Sequence, residues 1–351
     1  MTTHRIAVIP GDGIGQEVIP AGIRVLDAAA RRFQFGLEWT MFPWGSAYYR
    51  QHGEMMPADA LSTLRGFDAI YLGAIGDPEI PDYVTLNRLL LPLRRGFDQY
   101  ACVRPAKLYA GVRSPLESQP AIDLVVVREN TEGEYSDVGG LVHGDHPQAV
   151  AVQTAVFTRH GTERVIRYAF DLARRRRRHL TSVTKSNALG YSMTFWDAVF
   201  ADVAAEYPDV KTLSLLVDAA AMDLVRRPQT FDVMVASNLF GDILTDVSAA
   251  VAGSVGLAPS ANLNPERTAP SMFEPVHGSA PDIAGRGIAN PSATVLAGGM
   301  MLDFLGLHEA GQAVEQAVAA MLARGAARAP DLGGTAGTEA VTMAIVAELL
   351  R

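Results

Sequence analysis

The sequence predicts an α/β protein built on a largely parallel sheet, and three observations carry that prediction. Short β-branched runs alternate with longer segments of helical periodicity, polar residues gather where the strand candidates end, and the last hundred residues are helical in pattern. The first run, Arg5–Ile9, leads into a helix through Arg32. Within it Val18, Ile19, Gly22, Ile23, Leu26 and Ala29 recur at three- and four-residue steps, so one face packs on the sheet. Pro20 is expected to kink that helix. Strands follow at Leu37–Phe42, Ala69–Leu72, Asp123–Val127, Ser182–Thr184, Leu213–Val217 and Phe231–Ala236. The segment VAVQTAV (150–156) alternates apolar and polar residues with no crossover helix nearby, which predicts an antiparallel strand that needs a partner. A helical pattern from about Thr162 ends in Arg174–Arg178, cations that complement the carbonyl end of a helix and read as a solvated terminus. Ala-rich periodic runs at 308–325 and 338–350 are joined by a link containing Gly333, Gly334 and Gly337.

A chain of 351 residues, 48% hydrophobic and 19% charged, can bury a large core and reads as one two-lobed domain or two ordinary ones. The formal charge of -8 gives no electrostatic footprint for nucleic acid or an anionic membrane, so a small molecule is the expected partner. Cys102 is the single cysteine and cannot form an intrachain disulfide, which fits a reducing compartment. With no leader-like segment and no long apolar run, the expected location is the cytoplasm. The histidines show neither HxH nor HExxH spacing, which argues against a histidine zinc site.

The opening IAVIPGDGIG leads from a strand into glycines, yet Gln16 stands where the Rossmann fingerprint needs its third glycine. Stronger chemistry lies further on. Asp242 and Asp246 in NLFGDILTD fall four residues apart, on one face of a helix beginning near Leu239, and like charges at that spacing repel unless solvated or bridged by a cation. Asp218 ends the strand LSLLV as a third carboxylate. An all-carboxylate set with room for water suits Mg²⁺ or Mn²⁺. Arg94 (beside Arg95), Arg104 and Arg128 stand at helix faces or strand ends, where guanidinium forks can grip carboxylates. Together these residues describe a pocket for a dicarboxylate or tricarboxylate chelated to a divalent cation. Lys185 closes the strand TSVTK as a candidate general base, and Tyr135 in RENTEGEY is a candidate proton donor.

As a set and in order, these pieces resemble the metal-dependent β-decarboxylating dehydrogenases, the family of isocitrate, 3-isopropylmalate, homoisocitrate and tartrate/D-malate dehydrogenases. The most specific stretches are SNLFGDILTD (237–246), GLAPSANLNPE (256–266), FEPVHGSAPDIAG (273–285) and IANP (288–291). The resemblance implies a two-lobed α/β fold with a central mixed sheet that is not a Rossmann fold. It implies a cofactor lobe from 1–99 and 252–351, and a substrate, metal and dimerisation lobe from 100–251 with an arm near 135–157. On the family pattern Arg94, Arg104 and Arg128 bind substrate carboxylates, Asp218, Asp242 and Asp246 bind the metal, Lys185 is the base and Tyr135 the acid. The dinucleotide is expected around EPVHGSAPDI. There Gly278, Ser279 and Ala280 admit phosphate, His277 contacts the adenine ring or phosphate, Asn290 completes the adenine site, and Glu274 and Asn187 are further cofactor contacts. Asp282 followed by Ile283 favours NAD over NADP, because a carboxylate accepts from a ribose hydroxyl and repels a 2′-phosphate.

The resemblance further implies a homodimer whose sites are shared, with Lys185 and Asp218 serving the neighbouring subunit and Tyr135 its own. Within the family, GFDQY (96–100), GVRSPL (111–116), VVVRENTEGEYSDVGG (125–140) and PSANLNPERT (259–268) look most like the tartrate/D-malate branch. The expected reaction is therefore NAD-dependent oxidative decarboxylation of a D-malate-type 2-hydroxy acid, with 3-isopropylmalate as the alternative substrate. The spacing from Asn87 to Arg94 is longer than the isocitrate enzymes use. Asn87-Arg88 stands where the tartrate/D-malate branch carries Trp-Gly, and VDAAAM (217–222) is closer to the isopropylmalate enzymes. Asn87, Leu90 and Leu91 are the candidates for the substrate side pocket. A K⁺ requirement stays open.

Overall fold

The computed structural model describes residues 2–351. Its strands are β1 (Thr3–Gly11), β2 (Gly36–Met41), β3 (Ala69–Ala74), β4 (Ala101–Lys107), β5 (Asp123–Glu129) and β6 (Gly139–Val142). They continue with β7 (Val150–Gln153), β8 (His179–Thr184), β9 (Lys211–Leu216), β10 (Val233–Ala236), β11 (Pro259–Leu263) and β12 (Ser271–Pro275). Ten of them form one sheet in the order β2-β1-β3-β12-β11-β4-β5-β10-β8-β9, and β6 with β7 form a separate hairpin. Both ends of the large sheet are parallel, as the alternation of strand and helix predicts. Its middle is not: β11 runs antiparallel to both β12 and β4, and β4 antiparallel to β5, so the sheet is mixed. The sequence reading contained none of β4, β11 and β12, whose Pro, Asn and Ser residues resemble loop chemistry.

The first helix, Gly15–Phe33, runs continuously through Pro20 and buries Val18, Ile19, Val25, Leu26 and Ala29. A second core helix, Ser292–Phe304, is buried on nearly every side and therefore has no amphipathic period to read. The Arg-rich segment follows the helix Arg159–Arg174, whose start is capped by Thr158 accepting from the Gly161 amide at 2.9 Å. Arg174, Arg176 and Arg177 are paired with carboxylates, while Arg175 and Arg178 are exposed. Arg174 pairs with Asp209, and Arg176 with both Asp123 and the buried Asp232.

The predicted strand at 150–156 is present as β7 but stops at Gln153, and its partner is β6, a Gly-Gly segment with no strand signal. The hairpin turns apolar side chains outward on both strands, Leu141 being 65% exposed beside Val142, Val150 and Val152. Among the described residues no helix is long and apolar enough to cross a membrane.

Register delivers the site. Strands β5 and β10 pair in parallel up to Arg128 opposite Ala236, and the helix Asn238–Val251 starts directly after β10. The guanidinium of Arg128 and the first turns of that helix therefore arrive at the same end of the sheet. Cys102 of β4 lies opposite Arg128, so Arg104, two residues along, projects from the same face.

Candidate active site

A cavity of about 210 Å³ opens at this end of the sheet, and Arg94, Arg104, Arg128, Tyr135, Asp242, Glu274, His277 and Gly278 all line it. Gly241 permits the close approach of helix to strand: a Cβ there would lie 2.6 Å from the Arg128 Cβ. Arg128 is fully buried and donates twice to the Asn238 side chain, at 3.0 and 2.6 Å, and once to Asp242. Arg104 donates to Asp242 at 3.2 Å and to Thr245 at 2.8 Å. Tyr135 donates its hydroxyl proton to the other Asp242 oxygen at 2.7 Å.

Burial works to raise the Asp242 carboxyl, and Arg128, Arg104 and Tyr135 overcome it, holding the group below the ordinary aspartate value. In return burial and the neighbouring Arg104 bring Arg128 down to about 10, while burial and the bond to Asp242 push Tyr135 up to about 12. Asp246, one turn along the helix, has its carboxyl raised by burial and by the charge of Asp242. Arg94 meets the buried Glu274 at 3.0 Å, and Glu274 also accepts from Asn262 at 2.7 Å. The Arg94 Nε is buried without a partner.

The expected side-pocket residues divide. Leu90 lines the cavity, whereas Leu91 is buried and does not line it, and Asn87 is exposed and donates to the Tyr83 carbonyl at 2.8 Å. The wall residue that sequence reading missed is Leu86. Residues 86, 90 and 94 share one face through the π-helical turn Leu86–Leu90 and the helix Leu91–Gly96, and all three reach the cavity. Four-residue steps back from Arg94 were the available signal.

Lys185 and Asp218 do not line this cavity. They pair with each other at 2.7 Å, and the ammonium draws the Asp218 carboxyl below its ordinary value. Asn187, two residues after Lys185, is exposed. Among the described residues no three His, Cys, Asp or Glu side chains converge into a group able to hold a metal ion. The expectation that Asp218, Asp242 and Asp246 form one ligand set is therefore not met within a single chain. Asp242 and Asp246 alone offer an oxygen donor pair that fits a hard cation short of a third protein carboxylate.

The segment after β12 packs on the opening glycine loop. Ile14 donates its amide to the Ser279 carbonyl at 2.8 Å, and a Cβ on Gly13 would sit 2.0 Å from that carbonyl oxygen. Asp12, which sequence reading passed over, holds the loop by accepting from the Ser46 amide and hydroxyl and the Gly76 amide. Ala280 adopts φ 41°, and Ile283 packs against Ile14, Val18 and Ala289, leaving Asp282 exposed. Asn290 donates to Asp331 at 3.1 Å, a carboxylate in the Gly-rich link that sequence reading also missed.

Comparison with known proteins places these residues in context. Residues 5–349 match the family described as isocitrate/isopropylmalate dehydrogenase. The chain is 52% identical to the D-malate dehydrogenase [decarboxylating] of Escherichia coli (strain K12), over the full length of both. It is 50% identical to the probable tartrate dehydrogenase/decarboxylase of Bacillus subtilis (strain 168), over 99% of each chain. Its fold superimposes on the isocitrate dehydrogenase of Methylococcus capsulatus with a TM-score of 0.91 at 38% identity, covering 99% of this chain and 100% of the other.

Proposed function

The chain belongs to the isocitrate/isopropylmalate dehydrogenase family, and from that premise we propose that it oxidatively decarboxylates a D-malate or tartrate type of 2-hydroxy acid with NAD and a divalent cation, Mg²⁺ or Mn²⁺. The observation that carries the reading is the convergence of Arg94, Arg104, Arg128, Tyr135 and Asp242 on one small cavity. Relatives at 50% and 52% identity named for D-malate and tartrate support the same substrate class.

Three guanidiniums on three elements suit a substrate with a carboxylate at each end, gripped by forked hydrogen bonds. Asp242 stays ionised between Arg104 and Arg128, so its oxygens, with those of Asp246, can hold a hard cation. Asp218 of a second copy of the chain would complete that set, and Lys185 of the same copy would take the substrate hydroxyl proton, directly or through a water. Tyr135, oriented by Asp242, delivers a proton to the carbon left when CO₂ departs. When bound, the cation supplies stabilisation of enolate charge and NAD supplies the acceptor for the C2 hydride.

For the dinucleotide, Gly278, Ser279 and Ala280 offer backbone to phosphate and Asp282 a carboxylate to a ribose 2′-hydroxyl, with residues 1–99 and 252–351 as the cofactor lobe. A second copy has surfaces to meet. Beside the apolar hairpin, Met222 and Val225 are exposed on the helix that carries Asp218, Ile243 on the helix that carries Asp242, and Tyr191, 95% exposed, follows Lys185.

An alkyl malate such as 3-isopropylmalate is the second reading, favoured by the apolar wall of Leu86 and Leu90 now that Asn87 faces outward. The deciding experiment follows NADH formation from D-malate, L- and meso-tartrate, 3-isopropylmalate and isocitrate with NAD and Mn²⁺. The highest kcat/KM is expected for D-malate or a tartrate, with NADP inferior to NAD and activity lost to EDTA and restored by Mn²⁺. A preference for 3-isopropylmalate selects the second reading, and full turnover after EDTA removes the cation from the mechanism.

A further inference from the structure

Resting on the assignment of Tyr135 as proton donor, we infer that Glu134 is a positioning residue that ties the Tyr135 segment to the helix carrying Asp242 and Asp246. One Glu134 oxygen accepts from the Ser237 hydroxyl at 2.7 Å and the other from the Leu239 amide at 3.1 Å. Ser237 is the residue before the helix Asn238–Val251, in the position where a serine usually caps the first free amides. Here its hydroxyl caps none of them. It is committed to Glu134, and Glu134 supplies the missing acceptor from a different part of the chain. The carboxylate also faces the positive end of the helix, where negative charge is favoured.

The other contacts of the segment show what the tether controls. Upstream, Asn238 donates to the Glu132 carbonyl at 3.1 Å, and Gly133 exchanges backbone hydrogen bonds with Val156 at 2.8 and 3.0 Å. Downstream, Arg95, next to the substrate-site Arg94, donates to the Tyr135 carbonyl. The Tyr135 hydroxyl then reaches Asp242, less than one helical turn beyond Leu239. Leu239, Glu134, Tyr135 and Asp242 therefore close a ring with two hydrogen bonds to one helix, and the length of that ring sets where the phenol stands relative to the carboxylate. None of the three substrate-site arginines bonds Glu134, although Arg128 holds Asn238 between the two residues that do, so loss of the tether should disturb the protonation geometry far more than substrate binding.

The test measures kcat and KM for D-malate with NAD and Mn²⁺ in wild type, Glu134→Ala, Glu134→Gln, Tyr135→Phe and the double variant Glu134→Ala/Tyr135→Phe. Deuterium exchange of the peptide spanning 131–139 is followed in each protein without substrate. Glu134→Ala is expected to lower kcat by about tenfold to a hundredfold with KM changed by less than about threefold, since small misplacements of a proton-transfer group have effects of this order. Glu134→Gln keeps an acceptor for the Leu239 amide and should recover most of the rate. In the Tyr135→Phe background the Glu134→Ala change should add nothing, because the group it positions is gone. Exchange at 131–139 should quicken in Glu134→Ala and not in Glu134→Gln.

An equal loss in both backgrounds overturns the inference, since Glu134 would then act on the fold at large. So does unchanged kcat or unchanged exchange in Glu134→Ala. Should Glu134→Ala not fold, Ser237→Ala cuts one arm of the tether and is held to the same comparison in the two backgrounds. Faster exchange in Glu134→Ala combined with no turnover of D-malate by wild type would leave the tether standing and remove the substrate assignment instead.

Discussion

At the scale of single residues, His277 shows how a site can be written into stability. Its Nε2 is buried without a hydrogen-bond partner, and burial depresses its basicity below the ordinary value of 6.5. The folded-state pKa is thus the lower one, so on acidification the unfolded chain binds a proton first and stability is lost as pH falls below about 6.5. The melting temperature should fall between about pH 7 and pH 5, and His277→Asn should flatten that slope. An unchanged slope would assign the acid sensitivity to other groups. Some residues of the site were legible because their spacing has one physical meaning. Asp242 and Asp246 sit one turn apart on a helix that starts one residue from where the pattern places it, and Arg94, Arg104 and Arg128 meet. Asn87 misled because its polarity stood out while its face did not. Counting back from Arg94 by fours selects Leu86 and Leu90, and Asn87 falls off that line.

Elements were legible where burial is one-sided. The helix Gly15–Phe33 announces itself through its apolar stripe, and His308–Arg324 does so more weakly, whereas Thr338–Leu349 buries one face that includes Thr338 and Thr342 and shows through its Ala-rich composition rather than a stripe. Ser292–Phe304 does not, being enclosed all round, nor does β6, whose glycines give no pattern. The end of the first helix carries a prediction of its own. Gln34 occupies the left-handed region, φ 60° and ψ 48°, with its amide bonded to the Ala30 carbonyl. A side chain there is strained and glycine is not, so Gln34→Gly should stabilise the fold by about 0.5 kcal/mol, the strain relief exceeding the added freedom of the unfolded chain. A rise in the urea midpoint at constant m-value would register it, and a fall would show that the Gln34 side chain contributes more than its conformation costs.

For the molecule as a whole, the separation of Lys185 and Asp218 from Tyr135 and Asp242 makes the shared-site proposal testable by complementation. Tyr135→Phe and Lys185→Ala are each expected to be nearly inactive. In a hybrid dimer one site collects both defects and the other is intact, so isolated hybrids should regain roughly half of wild-type activity. Hybrids as inactive as their parents would place both residues in one subunit's site. The order of the large sheet has another consequence, one of timing. Strands β3 and β4 are neighbours along the chain, yet β12 and β11 lie between them in the sheet. Everything from residue 108 to residue 258 must be synthesised before the first of those two strands exists. Until then β3 and β4 each carry an open hydrogen-bonding edge, the kind that recruits other chains. Those two edges therefore stay open until the chain through Pro275 has been made and has left the ribosome, so a pause between residues 108 and 275 lengthens their exposure and a pause after that does not.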